Sequence, residues 1–365
     1  MFFKNNGKII GRHNYPEIHT NQFCFIIPEY VNKNIVEKGS KIQKEHAWRN
    51  LILTEQLRGR RSVTGLMSSM FSVSNKLDRT IFDAQNMENL PGNLVRREGG
   101  KAKGDKTVNE AYEYSGKTYN FFKDVFERNS IDTRGMKLDS TVHYGEDYNN
   151  AFWNGTQMVY GDGDGEIFQR FTKSIDVIGH ELAHGVTQYE AALEYEGQAG
   201  ALNESFSDVF GSLVKQYSLN QKADKADWLI GNGLFGRKVK GIALRSMKEP
   251  GTAYNDSTIG KDPQPGHMKD YVNTTSDNGG VHINSGIPNR AFYLTAMELG
   301  GYAWEKAGRI WYVALTERLR ERSNFQKAAN ITYEVSSTLY GRGSHEEKAV
   351  KNAWNQVGIK IKKVK

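Results

Sequence analysis

The stretch "SIDVIGHELAHGVTQYE", residues 174–190, sets an apolar helix against three ionisable groups. Val177, Ile178, Leu182, Ala183 and Val186 mark a segment that packs inside a protein, and His180, Glu181 and His184 ride in with it. Buried polar groups need partners. Residues four apart on a helix share a face, about 6 Å apart along the axis. His180 and His184 can therefore aim neutral imidazoles at one metal ion. Glu181, roughly 100° around the helix, stands beside that ion. This is His-Glu-x-x-His, a zinc pattern with a glutamate general base. A chance match on a core helix is the competing reading.

A catalytic zinc takes three protein ligands and keeps one position for water. "ALNESFSDVF" (201–210) offers the third ligand in Glu204, with Asp208 one turn on along the same face. Asp208 would accept the spare N–H of a ligating histidine, His180, and Asn203 would serve His184 in the same way. A solvated carboxylate face fits poorly, because Leu202, Phe206, Val209, Phe210, Leu213 and Val214 surround these acids. A histidine six residues after His184 would signal the metzincins, but position 190 is Glu. The metal would acidify a water, and Glu181 would take its proton during attack on a carbonyl.

The chain has 365 residues, 25 % charged and 38 % apolar, a globular balance with room for more than one lobe. Its net charge of +7 gathers at the ends. Residues 1–61 hold eleven Lys/Arg against five Asp/Glu, and "IKIKKVK" at the C-terminus adds four lysines. Solvated basic termini explain this better than nucleic-acid binding, and no nucleic-acid partner is expected. No apolar run approaches the roughly 18 residues of a membrane span, so no membrane role is expected. The start, "MFFKNNGKIIGRHNYPEIHT", lacks the apolar core of a Sec signal, so export, if it occurs, is expected by a non-Sec route. The single cysteine, Cys24, rules out an internal disulfide.

Along the chain, "CFIIPEYVNKNIVEKGS" (24–40) reads as an extended stretch, a proline turn and a helix ending at Gly39. A charged helix and the basic joint "RGRRSVTG" follow, placing a boundary near 60. From 76 to 170, short apolar runs between Gly, Asn and Asp suggest antiparallel strands, interrupted by a helix over 105–128. From 174 the patterns are mostly helical, including one run over 303–319. The fold class is α+β: residues 1–60 apart, a strand-rich lobe over 61–190 ending in the histidine helix, and a helical lobe over 191–365.

"HELAH" with "NESFSD" resembles the thermolysin-like metallopeptidases, and further segments in the same order extend the likeness over about 77–358. "YNNAFWNGTQMVYGDGDG" (148–165) is similar to the family's substrate-binding strand, which implies that Asn150 and Ala151 bind substrate backbone. Tyr195 in "ALEYEG" and His282 in "DNGGVHINSG" fall where the family has oxyanion donors, with Asp277 orienting His282. Arg245 in "LRSM" matches the residue that grips a substrate carbonyl. The same likeness implies an apolar pocket of Phe168, Phe171, Val177 and Leu244, and so cleavage before Leu, Phe, Ile or Val. It also implies a monomer acting on proteins and peptides.

Two features depart from the family's pattern. Asp176 and Asp227 match two acidic ligands of its calcium cluster, but Lys215, Leu229 and Asn232 stand at the others. An ammonium can neutralise the two survivors, so no structural Ca²⁺ is expected. The short front end resembles the branch typified by protealysin, whose prosegment lays a proline motif in the cleft. Here the matching stretch is "CFIIPEY", which makes Cys24, Ile27, Pro28, Glu29 and Tyr30 the expected inhibitory contacts in cis. Cys24 would be a small buried residue rather than a thiolate on the metal. Removal would fall between about 48 and 66. The expected activity is that of a zinc endopeptidase precursor. The rivals are a zinc-containing binding or toxin module with a vestigial site, and an exopeptidase.

Overall fold

The structure, a computed structural model, describes residues 24–59 and 74–362. The boundary expected near 60, most of the basic joint and the N-terminal start lie outside the described residues. The strands of the main sheet are β1 (Cys24–Phe25), β2 (Arg79–Asp83), β3 (Asn93–Arg97), β4 (Leu138–Val142), β5 (Ala151–Trp153) and β6 (Met158–Tyr160), and two short two-stranded ribbons lie in the later part of the chain. The main sheet has the order β1-β5-β6-β4-β2-β3. The expectation of antiparallel strands needs correction: β2 pairs with β4, and β4 with β6, in parallel. Helix α3 (Lys106–Phe126) is the reason for the first of these, and the excursion through β5 for the second. The helix follows β3 and returns the chain to the same end of the sheet, as a parallel pairing requires.

Helices α1 (Glu29–Lys38) and α2 (Lys41–Gly59) precede this lobe. Pro28 suits the helix start because its missing N–H costs nothing there. Gly39 closes α1 by donating its N–H to Ile35 O at 2.8 Å. Val31 and Ile35 turn inward and join the same core as Ile26 and Ile27. The helical part follows with α4 (Ile175–Tyr189), α5 (Gly197–Ser218), α6 (Asp277–Asn284), α7 (Gly286–Leu299), α8 (Ala307–Val313), α9 (Phe325–Tyr340) and α10 (His345–Gln356). The run expected over 303–319 begins only at Ala307 and widens into a π turn at Ala314–Arg318, closed by Leu319 N–H on Ala314 O. No helix among the described residues is long and apolar enough to cross a membrane.

Helices α4 and α5 touch backbone to backbone. A Cβ on Gly211 would stand 2.4 Å from the Asp176 carbonyl oxygen, and one on Gly179 would stand 3.1 Å from Gly211 Cα. Only glycine fits a contact that close.

A charged triad ties α3 to the sheet. Asp105 caps α3 by accepting from Thr107 N at 2.8 Å, and its other oxygen lies 2.7 Å from His143 Nε2. His143 Nδ1 lies 2.7 Å from Asp162. With both nitrogens facing carboxylates the ring is a cation. The hydrogen bond to Asp162 raises its pKa to about 9, against the opposing effect of partial burial and with help from Asp105. A folded pKa above the unfolded value of about 6.5 gives stability that is complete below that value. This stability disappears as pH rises to about 9. The thermal midpoint of His143→Gln should therefore fall less steeply than the parent's between about pH 6.5 and 9. Parallel curves would remove the triad's role.

Candidate active site

The α4–α5 contact brings His180, His184 and Glu204 together, all fully or almost fully buried. His180 Nε2 lies 3.0 Å from His184 Nε2, and the two nitrogens lie 3.4 Å from Glu204 Oε2 and Oε1 respectively. The tautomers follow from the other ring nitrogens. His180 Nδ1 is 2.8 Å from Asp208 Oδ1, and His184 Nδ1 is 2.8 Å from Asn203 Oδ1. Asn203 Nδ2 donates to Leu193 O at 3.1 Å, which turns its oxygen toward His184. With both Nδ1 atoms turned to these oxygens, the two Nε2 atoms are the nitrogens left for a metal, and they face each other and a carboxylate. Glu204 Oε2 is buried without a hydrogen-bond partner. Crowded buried acceptors of this kind call for a cation. A tetrahedral zinc with bonds of about 2.0–2.1 Å spaces its ligands roughly 3.3 Å apart, close to the separations observed. The donor set therefore fits the ion.

Asp208 is held from three sides. Arg245 forks onto it with Nε and Nη2 each at 2.8 Å, and Asn289 Nδ2 donates at 2.8 Å. Burial pushes its carboxyl up, but Arg245 and His180 outweigh burial and hold it at about 2. Glu181 faces β5. Its Oε2 accepts from Trp153 N–H at 3.0 Å, and its Oε1 is buried with no hydrogen-bond partner. Burial pushes this carboxyl well above the usual carboxylate range.

The start of α6 is not helical: four successive residues, Asp277 to Gly280, are left-handed, with φ between 48° and 79°. That path folds the Asp277 carboxylate around His282, 2.6 Å from Nδ1 and 2.9 Å from the backbone nitrogen. Burial lowers the His282 pKa, but Asp277 and Glu204 reverse this and leave it raised. Tyr195 donates its hydroxyl to Glu204 Oε1, and that hydroxyl lies 3.1 Å from His282 Nε2.

The N-terminal segment lies across these groups. Ile26 N–H donates to Ala151 O at 3.1 Å, and Ile27 N–H to Asn150 Oδ1 at 2.9 Å. Arg245 Nη1 donates to Ile26 O at 3.2 Å, and His282 Nε2 is 2.8 Å from Phe25 O. Phe168 and Leu244 share an apolar pocket with Pro28, Tyr30 and Val31. Phe171 packs against Phe168, with ring centroids 5.8 Å apart, and Val177 is buried in α4. Glu29 pairs with Lys33 one helical turn on, at 2.7 Å. Cys24 packs in a buried cluster with Tyr195 and Val281 and does not belong to the metal-ligand set. Sequence reasoning passed over Phe25, Ile26, Asn289 and the Trp153 N–H. Three of these act through backbone atoms, which no side-chain pattern reveals. Asn289 had one usable signal, an amide on the apolar helix "GIPNRAF".

Two lobes meeting at a His-Glu-x-x-His helix, with a third ligand from the next helix, define a one-metal hydrolase. Comparison with known proteins narrows the class. Residues 56–188 match the thermolysin metallopeptidase catalytic domain, and residues 191–359 its alpha-helical domain. The chain is 50% identical over 354 residues to Protease PrtS of Photorhabdus sp. (strain Az29), covering 95% of each. It is 49% identical to an extracellular metalloprotease of Pectobacterium carotovorum subsp. carotovorum, covering 93% of this chain and 97% of that one. A solved structure of the precursor of protealysin, a metalloproteinase from Serratia proteamaculans, superposes with a TM-score of 0.85 at 52% identity, covering 92% and 99%. The chain belongs to the thermolysin family of metallopeptidases.

Asp208→Asn keeps the shape but weakens the charge behind His180. Metal affinity, read by competition with a chelator, should fall about 10–100-fold. Unchanged affinity would mean that packing alone orients the ring.

Proposed function

We propose that the chain is the precursor of a zinc endopeptidase that acts as a monomer on proteins and cuts before bulky apolar residues, with residues 1–60 blocking the cleft in cis. The observation that carries this reading is the pair of facing Nε2 atoms beside Glu204, with Glu181 adjacent. His180, His184 and Glu204 would hold the metal, which when bound supplies Lewis acidity and a water of lowered pKa. The name extracellular metalloprotease on the Pectobacterium relative supports export.

Each remaining step belongs to the chain. Glu181 takes the proton of the attacking water; its buried site gives the carboxylate the affinity to do so, and the Trp153 N–H fixes its position. The same group hands the proton to the departing amine. Charge developing on the carbonyl oxygen is met by Tyr195 and by His282, which Asp277 keeps protonated. Arg245, Asn150 and Ala151 hold the peptide backbone, and Phe168 and Leu244 offer an apolar wall to the residue after the cut.

Glu181→Gln should retain the metal and lose peptidase activity by about 10²–10⁴ or more. Substantial casein digestion by that variant, freed of its prosegment, would remove the general-base role. Peptide mapping should show internal cuts before Leu, Phe, Ile or Val; terminal trimming alone would make the protein an exopeptidase.

Calcium independence is a further part of the reading. Lys215 Nζ lies 2.7 Å from Asp176, 2.8 Å from Asp227 and 2.6 Å from Leu229 O, a built-in cation on α5 behind α4. Lys215→Met leaves Asp176 buried without its cation, held only by Ser174 and the Gly231 N–H, and should cost about 3–5 kcal/mol in denaturant titrations. Added calcium should leave the parent's midpoint unmoved; a clear rise would show a divalent site.

A further inference from the structure

The N-terminal strand does more than cover the cleft. β1 adds to β5 as an antiparallel edge strand, with Cys24 opposite Trp153 and Phe25 opposite Phe152. Beyond that ladder, each polar backbone atom from the Phe25 carbonyl to the Ile27 carbonyl meets a group of the site. Phe25 O lies on His282, Ile26 N–H on Ala151, Ile26 O on Arg245, and both polar atoms of Ile27 on the Asn150 amide.

The first of these contacts sets the register. His282 Nε2 is 2.8 Å from Phe25 O, and the same nitrogen is 3.1 Å from the Tyr195 hydroxyl and 3.5 Å from Glu204 Oε1. The Phe25 carbonyl therefore occupies the oxyanion position, at the rim of the metal-ligand cluster. The bond leaving that carbonyl is Phe25–Ile26, and its nitrogen is fixed by Ala151. Glu181 is held on β5, the strand that β1 joins, by the N–H of Trp153, the residue opposite Cys24.

We propose that Phe25–Ile26 is a self-cleavage site: the prosegment is held as a tethered substrate in the productive register, and this one bond is opened slowly within the molecule. The inference rests on the peptidase reading above. In the step, water oxygen bonds to the Phe25 carbonyl carbon and the bond to the Ile26 nitrogen breaks. Phe25 keeps a carboxylate, and a proton passes to the Ile26 amine. The new ends cannot drift apart readily. Ile26 and Ile27 stay on Arg245 and Asn150, and α1 is anchored by Val31 and Ile35 in the core and by Asn34 Nδ2 on Ile259 O at 3.0 Å. An amine kept beside its acyl partner favours resealing by its high effective concentration. Cutting at this bond therefore leaves the cleft blocked, and release waits for removal of the whole segment.

The test uses the full chain loaded with zinc, followed by intact-mass analysis and N-terminal sequencing. A fragment beginning at Ile26 should accumulate at a first-order rate independent of protein concentration, and should be absent from Glu181→Gln. Ile26→Pro removes the N–H that Ala151 holds and should abolish the fragment in chains whose melting shows them folded. Docking has a separate readout in the Glu181→Gln chain. The amides of Ile26 and Ile27 should exchange slowly with deuterium, and Asn150→Ala should speed Ile27 about tenfold, the worth of one hydrogen bond. The inference is overturned if the prosegment-free chain digests casein but the precursor never shows an Ile26 terminus. A rate proportional to concentration, or fast exchange at Ile26, overturns it as well. If casein also survives, the peptidase reading fails instead, and the exchange data still decide the register.

Discussion

Everything at this site depends on how closely α4 and α5 approach. Gly179 and Gly211 let the two backbones meet where any side chain would collide with a carbonyl. At that separation a glutamate on α5 reaches the same point as two histidines on α4. The contact also seats Asp208 directly behind His180. A wider spacing, as side chains would impose, would leave Glu204 short of the histidines and Asp208 without a ring to orient.

Behind this contact runs an alternating chain of buried charge. Arg245 holds Asp208, Asp208 holds His180, Glu204 faces both ligating rings, and Asp277 holds His282. Each ion is too deep to be tolerated alone, and each has an opposite neighbour. Lys215 follows the same rule on the far side of α4, where its ammonium serves Asp176 and Asp227. Arg245 does two jobs in this arrangement. It fixes Asp208 with two nitrogens and offers the third to a peptide carbonyl. The electrostatics of the metal site and the grip on the chain in the cleft are therefore not independent.

The N-terminal segment exploits the same geometry. A strand edge binds extended peptide through main-chain groups and is largely indifferent to side chains. β5 accepts β1 for that reason, so the protein's own segment takes the sixth place in the sheet. Val31 and Ile35 then carry the covering into the apolar wall beside Phe168 and Leu244, which converts a transient peptide contact into part of the core.

The sequence by itself determined the chemistry-bearing side chains. Two histidines four apart, a glutamate between them and an acid–x–x–x–acid on a second apolar helix are local, helix-periodic facts, and the helix period holds whatever the surroundings. The helical segments and the turn at Pro28 were legible for the same reason. Parallel pairing of β2 with β4 was not, because strand partners are chosen by where α3 returns the chain. The docking of Phe25 and Ile26 was not legible either, since their backbone atoms carry it and every residue has those. Tertiary structure alone decided these points, because each depends on which distant surface a local element meets.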